Sequence, residues 1–248
     1  RFTASTDPQA LEHLRDDPNL HYNRRRMIDK YDGAVAYVDS QVGRLLRRVD
    51  ELGLAETTMV VLTADHGESL GEHGLHGHEY QIYEPLVRIP LIVRLPGLGP
   101  SRVAEAVEHV DILPTVLRSF GLSGDDSFDG GLLPLERGPA DPGDVFAETW
   151  VRKVGRRAMV RSGRWKLIVN DPRFETDERP GFRSPRVELY DLDADPGELK
   201  NVASSERERR DDLERQLGDW MTDYTVKPLP IHVGQGELEM LRSLGYVE

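Results

Sequence analysis

Thr57–Ala64 reads TTMVVLTA, an uncharged run rich in β-branched residues that ends on Asp65. A continuous apolar run of this length, bounded by polar residues, predicts a strand buried on both faces in a parallel sheet. The residues before it carry a different period. Met27, Tyr31, Val35, Val38, Val42, Leu45, Val49 and Leu52 recur every three or four positions, one apolar stripe on a helix over 23–52. Gly53 follows, where a left-handed residue ends a helix. Pro90–Leu95 (PLIVRL) is a second apolar run, and Asp111 can cap a helix over 112–120 with Pro114 in its first turn. Helix, strand, loop, strand, helix is the rhythm of an α/β domain. Residues 1–22 read as surface loop with a short helix around Leu11–Leu14, and Arg24–Arg26 as a solvated first turn.

The style changes after a loop over 123–144 that holds five Gly and three Pro. Ala158–Arg161 and Trp165–Val169 flank Ser162-Gly163, a hairpin turn, and Val187–Leu192 gives a further strand. Glu206–Tyr224 is a charged amphipathic helix with Leu213, Leu217, Trp220, Met221 and Tyr224 on one face. The expected division is residues 1–145 as α/β and 146–248 as a small antiparallel sheet with a packing helix. Lys166 reads as an exposed hairpin residue. Asp191-Leu192-Asp193-Ala194-Asp195 imitates the start of a calcium loop, but Pro196 stands where that loop needs glycine, so it reads as a turn whose carboxylates cap amides.

Composition excludes several function classes. A net charge of −12 over 248 residues argues against a nucleic-acid binder, which needs a basic face. No apolar run approaches the ~18 residues of a membrane span. With no cysteine, disulfides, thiolate zinc sites and thiol nucleophiles are excluded from these residues.

Thr63–Tyr83 (TADHGESLGEHGLHGHEYQIY) concentrates the chemistry. Four of the chain's eight histidines, His66, His73, His76 and His78, lie there with Asp65, Glu68, Glu72 and Glu79, and Gly67, Gly71, Gly74 and Gly77 let the backbone turn between them. Ligands of open α/β sheets bind beyond the carboxyl ends of strands, where Asp65 and His66 should sit. A carboxylate oxygen and an imidazole nitrogen suit Zn, Mn or Fe and tolerate Ca or Mg. On an extended segment His76 and His78 point to one side, able to meet on a metal or an oxyanion or to divide between packing and solvent. Glu72 and His73 suit a flexible lid.

The segment TADHGESLGEHG, followed by GHEYQIYEPLVRIPLIVRLPG, resembles the sulfatase family of the alkaline-phosphatase superfamily. HVDILPTVL, GRWKLI, LYDLDADPGELKNVA and the final LRSLGYVE resemble that family in the same order, from about Tyr31 to Glu248. The resemblance implies the C-terminal part of a sulfatase-like α/β sandwich followed by a small antiparallel sheet-plus-helix subdomain. It implies that Asp65 and His66 bind the active-site divalent metal, calcium, with Mn²⁺ or Zn²⁺ as alternatives. His78 stands where the family has a lysine that contacts sulfate, and His76 is a secondary catalytic candidate. The general acid would be His73, His76 or His78. The implied activity is metal-dependent hydrolysis of a small-molecule or carbohydrate sulfate ester by a formylglycine nucleophile. The family has Asn or His at position 66, and the His found here leans toward the phosphonate monoester and phosphodiester hydrolases of the same superfamily.

The nucleophile motif C/S-x-P-S/A-R and the family's N-terminal Asp-Asp do not occur in these residues. The chain is therefore expected to be the C-terminal part of a larger protein, with formylglycine and two metal carboxylates in the missing N-terminal portion. On this expectation it is inactive alone, and its exposed sheet edges imply either poor stability or tight association with that portion. The rival outside enzymes is a non-catalytic fragment that binds metal or anion.

Overall fold

The structure is a computed structural model that describes residues 18–78, 81–122, 128–135, 143–151, 155–176 and 183–223. The expectations for Leu11–Leu14, for Glu79, for Tyr224 and for the final LRSLGYVE lie outside the described residues. The chain divides into one unit over 1–217 and another over 218–248.

Helix α1 (Pro18–Glu51) follows the periodic stripe and starts five residues earlier than the periodicity predicts. Proline is tolerated at a helix start because its missing N–H would have no partner there. Gly53 ends the helix at φ +69°. The stripe itself is a surface feature, with Val35 52%, Val38 55% and Leu45 65% exposed. Arg24 is not simply solvated, since its Nε donates to the Leu70 carbonyl at 2.7 Å.

Strand β1 (Val60–Thr63) pairs with a later strand, Leu91–Arg94, and the pairing is antiparallel, with Thr63 opposite Leu91. This corrects the parallel expectation. An uncharged run reports burial but not direction, and both strands are only half-buried, the later one alternating along its length. Between them lie β2 (Ser69–Leu70) and β3 (His76–Gly77), paired as a short ribbon, and a single helical turn, α2 (Glu84–Val87). The Leu91–Arg94 strand is β4.

Helix α3 (Ile112–Ser119) is entered through a 3₁₀ turn, His109–Asp111. Asp111 does not cap α3 as predicted. It closes a capping box with Glu108, whose backbone N–H donates to Asp111 Oδ2 at 2.8 Å, and its Oδ1 accepts the Gly131 N–H at 2.8 Å. A local Asp-plus-apolar pattern does not distinguish these two uses of one carboxylate.

The antiparallel expectation is met and extended. Strands β5 (Val145–Val151), β6 (Gly155–Ser162), β7 (Trp165–Asn170) and β8 (Val187–Asp191) form a meander in chain order. Gly163 makes the β6–β7 turn at φ +56°. The sheet is buried on both faces. One face carries Met159, Ile168 and Tyr190, which cluster with Ile82, Tyr83 and Leu192. The other carries Ala158, Val160, Leu167 and Leu189, all 1% exposed or less. In helix α4 (Arg207–Asp223), Leu213 and Leu217 lie one turn apart and are buried. The Asp191–Asp195 segment is the expected turn: Asp191 Oδ1 accepts the Asp193 and Ala194 amides, and Asp195 Oδ2 accepts the Lys200 amide at 2.7 Å.

Candidate active site

Beyond the end of β1 three of the predicted side chains are linked pairwise, Asp65 to His66 and His66 to His78. His66 stacks on His78 with ring centroids 4.5 Å apart and planes inclined by 27°. His66 Nε2 lies 3.6 Å from Asp65 Oδ2. The His66 backbone N–H donates to Asp65 Oδ1 at 3.0 Å, and this bond holds the Asp65 carboxyl below its ordinary pKa, so it is an anion at neutral pH. His78 Nδ1 meets Glu68 Oε2 at 3.1 Å, a contact absent from the sequence reading. In the tautomer that donates Nδ1–H to Glu68, Nε2 can donate to an anion only as the imidazolium.

The glycines act as predicted. Gly71, Gly74 and Gly77 take φ of +115°, +71° and +85°. Gly67 is required for space: its N–H donates to the Leu86 carbonyl at 2.8 Å, and a methyl there would lie 2.0 Å from the Pro85 carbonyl oxygen. The Asp65-His66 turn therefore rests directly on α2.

His76 and His73 sit apart from this group. His76 is exposed in β3 opposite Leu70, and among the described residues no hydrogen bond, ion pair or ring contact joins it to His78. His73 stacks on Tyr83 at 3.9 Å, nearly parallel, with φ +54°. Burial lowers its pKa, favouring the neutral imidazole. Its ring is a packing element of the core, so a flexible lid does not describe it.

His109 was missed by the sequence reading. It donates or accepts through Nε2 at the Ala64 carbonyl, 2.8 Å away, which fastens the residue before Asp65 to the 3₁₀ turn leading into α3. A cleft of about 930 Å³ borders Thr63 and His109, with Glu84 and Arg161 along it; Asp65, His66 and His78 do not line it.

Lys166 corrects the expectation of an exposed hairpin side chain. It is fully buried, its Nζ 2.7 Å from Glu198 Oε1 and 3.0 Å from Glu84 Oε1. Beside it, Tyr83 and Tyr190 both donate to Glu188 Oε2, at 2.8 and 2.6 Å. Burial raises the pKa of both phenols.

Calcium takes about six to eight oxygen ligands. Among the described residues no three His, Asp or Glu side chains converge on one point. Asp65, an ionised carboxylate exposed beside an imidazole, fits as a donor pair in a shared site and does not make a whole one.

A profile of the family described as "N-sulphoglucosamine sulphohydrolase, C-terminal" matches residues 71–227, and one described as "Sulfatase" matches residues 2–122. Mouse (Mus musculus) steryl-sulfatase is 34% identical over 213 residues, covering 71% of this chain and 34% of its own length. N-acetylglucosamine-6-O-sulfatase of Bacteroides thetaiotaomicron is 30% identical over 197 residues, covering 74% of this chain and 33% of its own length. Among solved structures, a protein in complex with its substrate D-glucosamine-2-N,6-O-disulfate superposes with a TM-score of 0.68 at 23% identity, covering 88% of this chain and 46% of that one. The phosphonate monoester hydrolase of Agrobacterium radiobacter superposes with a TM-score of 0.64 at 26% identity, covering 78% and 40%. The chain spans about a third of the length of the curated relatives it matches.

Proposed function

We propose, from the premise that this chain belongs to the sulfatase family with its alkaline-phosphatase-like fold, that it supplies part of the active site of a sulfuric ester hydrolase. The observation that carries the reading is the pairing of Asp65 with His66 and the stacking of His66 on His78 just beyond the end of β1. The reaction converts a sulfate ester and water into an alcohol and sulfate. Small-molecule and carbohydrate esters are the proposed substrates, in keeping with relatives named for a steryl group and for N-acetylglucosamine.

Each residue has a definite task. Asp65 and His66 would hold a divalent cation, calcium in preference to Mn²⁺ or Zn²⁺, together with donors from outside these residues. Such a cation supplies charge neutralisation at the ester's oxyanion. His78, oriented by Glu68, donates to a non-bridging ester oxygen. His76, exposed at the ribbon, is the secondary candidate for delivering a proton to the leaving alcohol. The nucleophile, a formylglycine in the family, is not among these 248 residues, so the chain by itself is proposed to be inactive.

Phosphonate monoester or phosphodiester hydrolysis is the second reading, favoured by the histidine at position 66 and by the likeness to the Agrobacterium enzyme. Steady-state turnover by the natural-length polypeptide decides between them, with an aryl sulfate and an aryl phosphonate monoester compared before and after chelation by EDTA. The proposal expects a higher kcat/KM for the sulfate and its loss on chelation. A higher kcat/KM for the phosphonate favours the second reading, and turnover of neither ester overturns both.

A further inference from the structure

A buried ionic cluster connects the antiparallel sheet to the Asp65-His66 turn. Lys166 in β7 and Glu198 have completely buried side chains, and one ammonium stands between two carboxylates, Glu84 and Glu198. Arg161 adds a second cation 3.9 Å from Glu84 Oε2. Glu198 also accepts the Glu84 backbone N–H through Oε2 at 2.6 Å, and it is held at φ +54°, where a non-glycine residue is strained. Burying charges in this way stabilises a fold no better than apolar packing of equal volume. The cluster therefore calls for a role beyond stability.

Its geometry supplies one. Glu84 is the first residue of α2, a single turn with no side-chain cap. Two residues on, the Leu86 carbonyl accepts the Gly67 N–H, and Pro85 leaves no room for a side chain on Gly67. Gly67 adjoins His66. Every step from Lys166 to His66 is thus a covalent neighbour or a contact of 3.0 Å or less. Tyr83, immediately before Glu84, has its own tether to Glu188, so loss of the cluster releases α2 without detaching the whole segment from the core.

We propose that Lys166, together with Glu198, is a positioning residue that sets the Asp65-His66 turn by clamping Glu84 and with it the α2 carbonyl on which Gly67 hangs. The inference rests on the reading of Asp65 and His66 as site residues. It adds that the C-terminal sheet, far away in sequence, determines where that pair sits.

The test is nuclear magnetic resonance of the natural-length protein as wild type, Lys166→Met and Glu84→Ala. Two signals are followed: hydrogen exchange at the Gly67 amide, and the His66 and His78 ring-proton shifts, which report their stacking. Glu84→Ala keeps the fully buried Lys166–Glu198 pair; it decides alone if Lys166→Met does not fold. The expected result is Gly67 exchange faster by about tenfold in Lys166→Met and severalfold in Glu84→Ala, with both ring signals displaced and the β6–β7 amides at wild-type protection. Gly67 exchange and ring shifts unchanged in folded Glu84→Ala overturn the proposal. Protection lost equally at Gly67 and across β6–β7 also overturns it, since the cluster would then be merely structural. No turnover is read, so failure here leaves the proposed activity standing, and inactivity toward both esters leaves this result standing.

Discussion

His73 shows how one side chain links packing to pH. Burial against Tyr83 keeps its pKa below the 6.5 of a free imidazole. Unfolding restores the ordinary value, so between the two pKa values the unfolded chain binds more protons than the folded one. The stabilising contribution of neutral His73 is complete above pH 6.5 and is lost as pH falls through that window. His73→Gln is expected to flatten the fall in urea midpoint between about pH 7.5 and about pH 5.5, measured by circular dichroism; an unchanged slope rejects the assignment. Not every such residue can be recognised in sequence. Asp65 and His66 stand out in the sequence as candidates because an apolar run ends on them and a glycine follows. Glu68 and Lys166 do not, because their roles depend on distant partners: Lys166 finds Glu84 across 82 positions, and β7 is buried on both faces, so alternation cannot mark one residue as interior.

At the scale of elements, helix α4 makes the plainest energetic claim. Leu213 and Leu217 are 2% and 1% exposed. Truncating Leu217 to alanine removes a buried side chain and leaves a cavity, a loss of about 2–5 kcal/mol. Equilibrium urea denaturation should show this as a lower midpoint with the slope preserved; a loss within the noise of a surface substitution would contradict the packing described. Period placed α4 and α1, and the Ser162-Gly163 turn between two strand-like runs placed the β6–β7 hairpin, since both are local signals. Period did not say which face is covered. The α1 stripe has the pattern of a buried helix and yet Val35 and Val38 are more than half exposed, because coverage depends on neighbours. Strand direction was equally silent in β1 and β4, and β5 went unrecognised because Glu148 and Thr149 interrupt its apolar run.

At the scale of the molecule, these 248 residues carry a net −12, so among them attraction for an anionic ester comes from a few local groups. His78 and a cation held by Asp65, His66 and donors outside these residues are the groups proposed, in keeping with a chain about a third the length of its curated relatives. The most direct test is kcat/KM for an aryl sulfate with the natural-length polypeptide as wild type and as Asp65→Asn, each titrated with Ca²⁺. Asp65→Asn keeps the side-chain shape and removes its charge. The account predicts a loss of at least about a hundredfold, with a higher Ca²⁺ concentration needed for half-maximal rate. Wild-type kcat/KM at the wild-type Ca²⁺ requirement would contradict it.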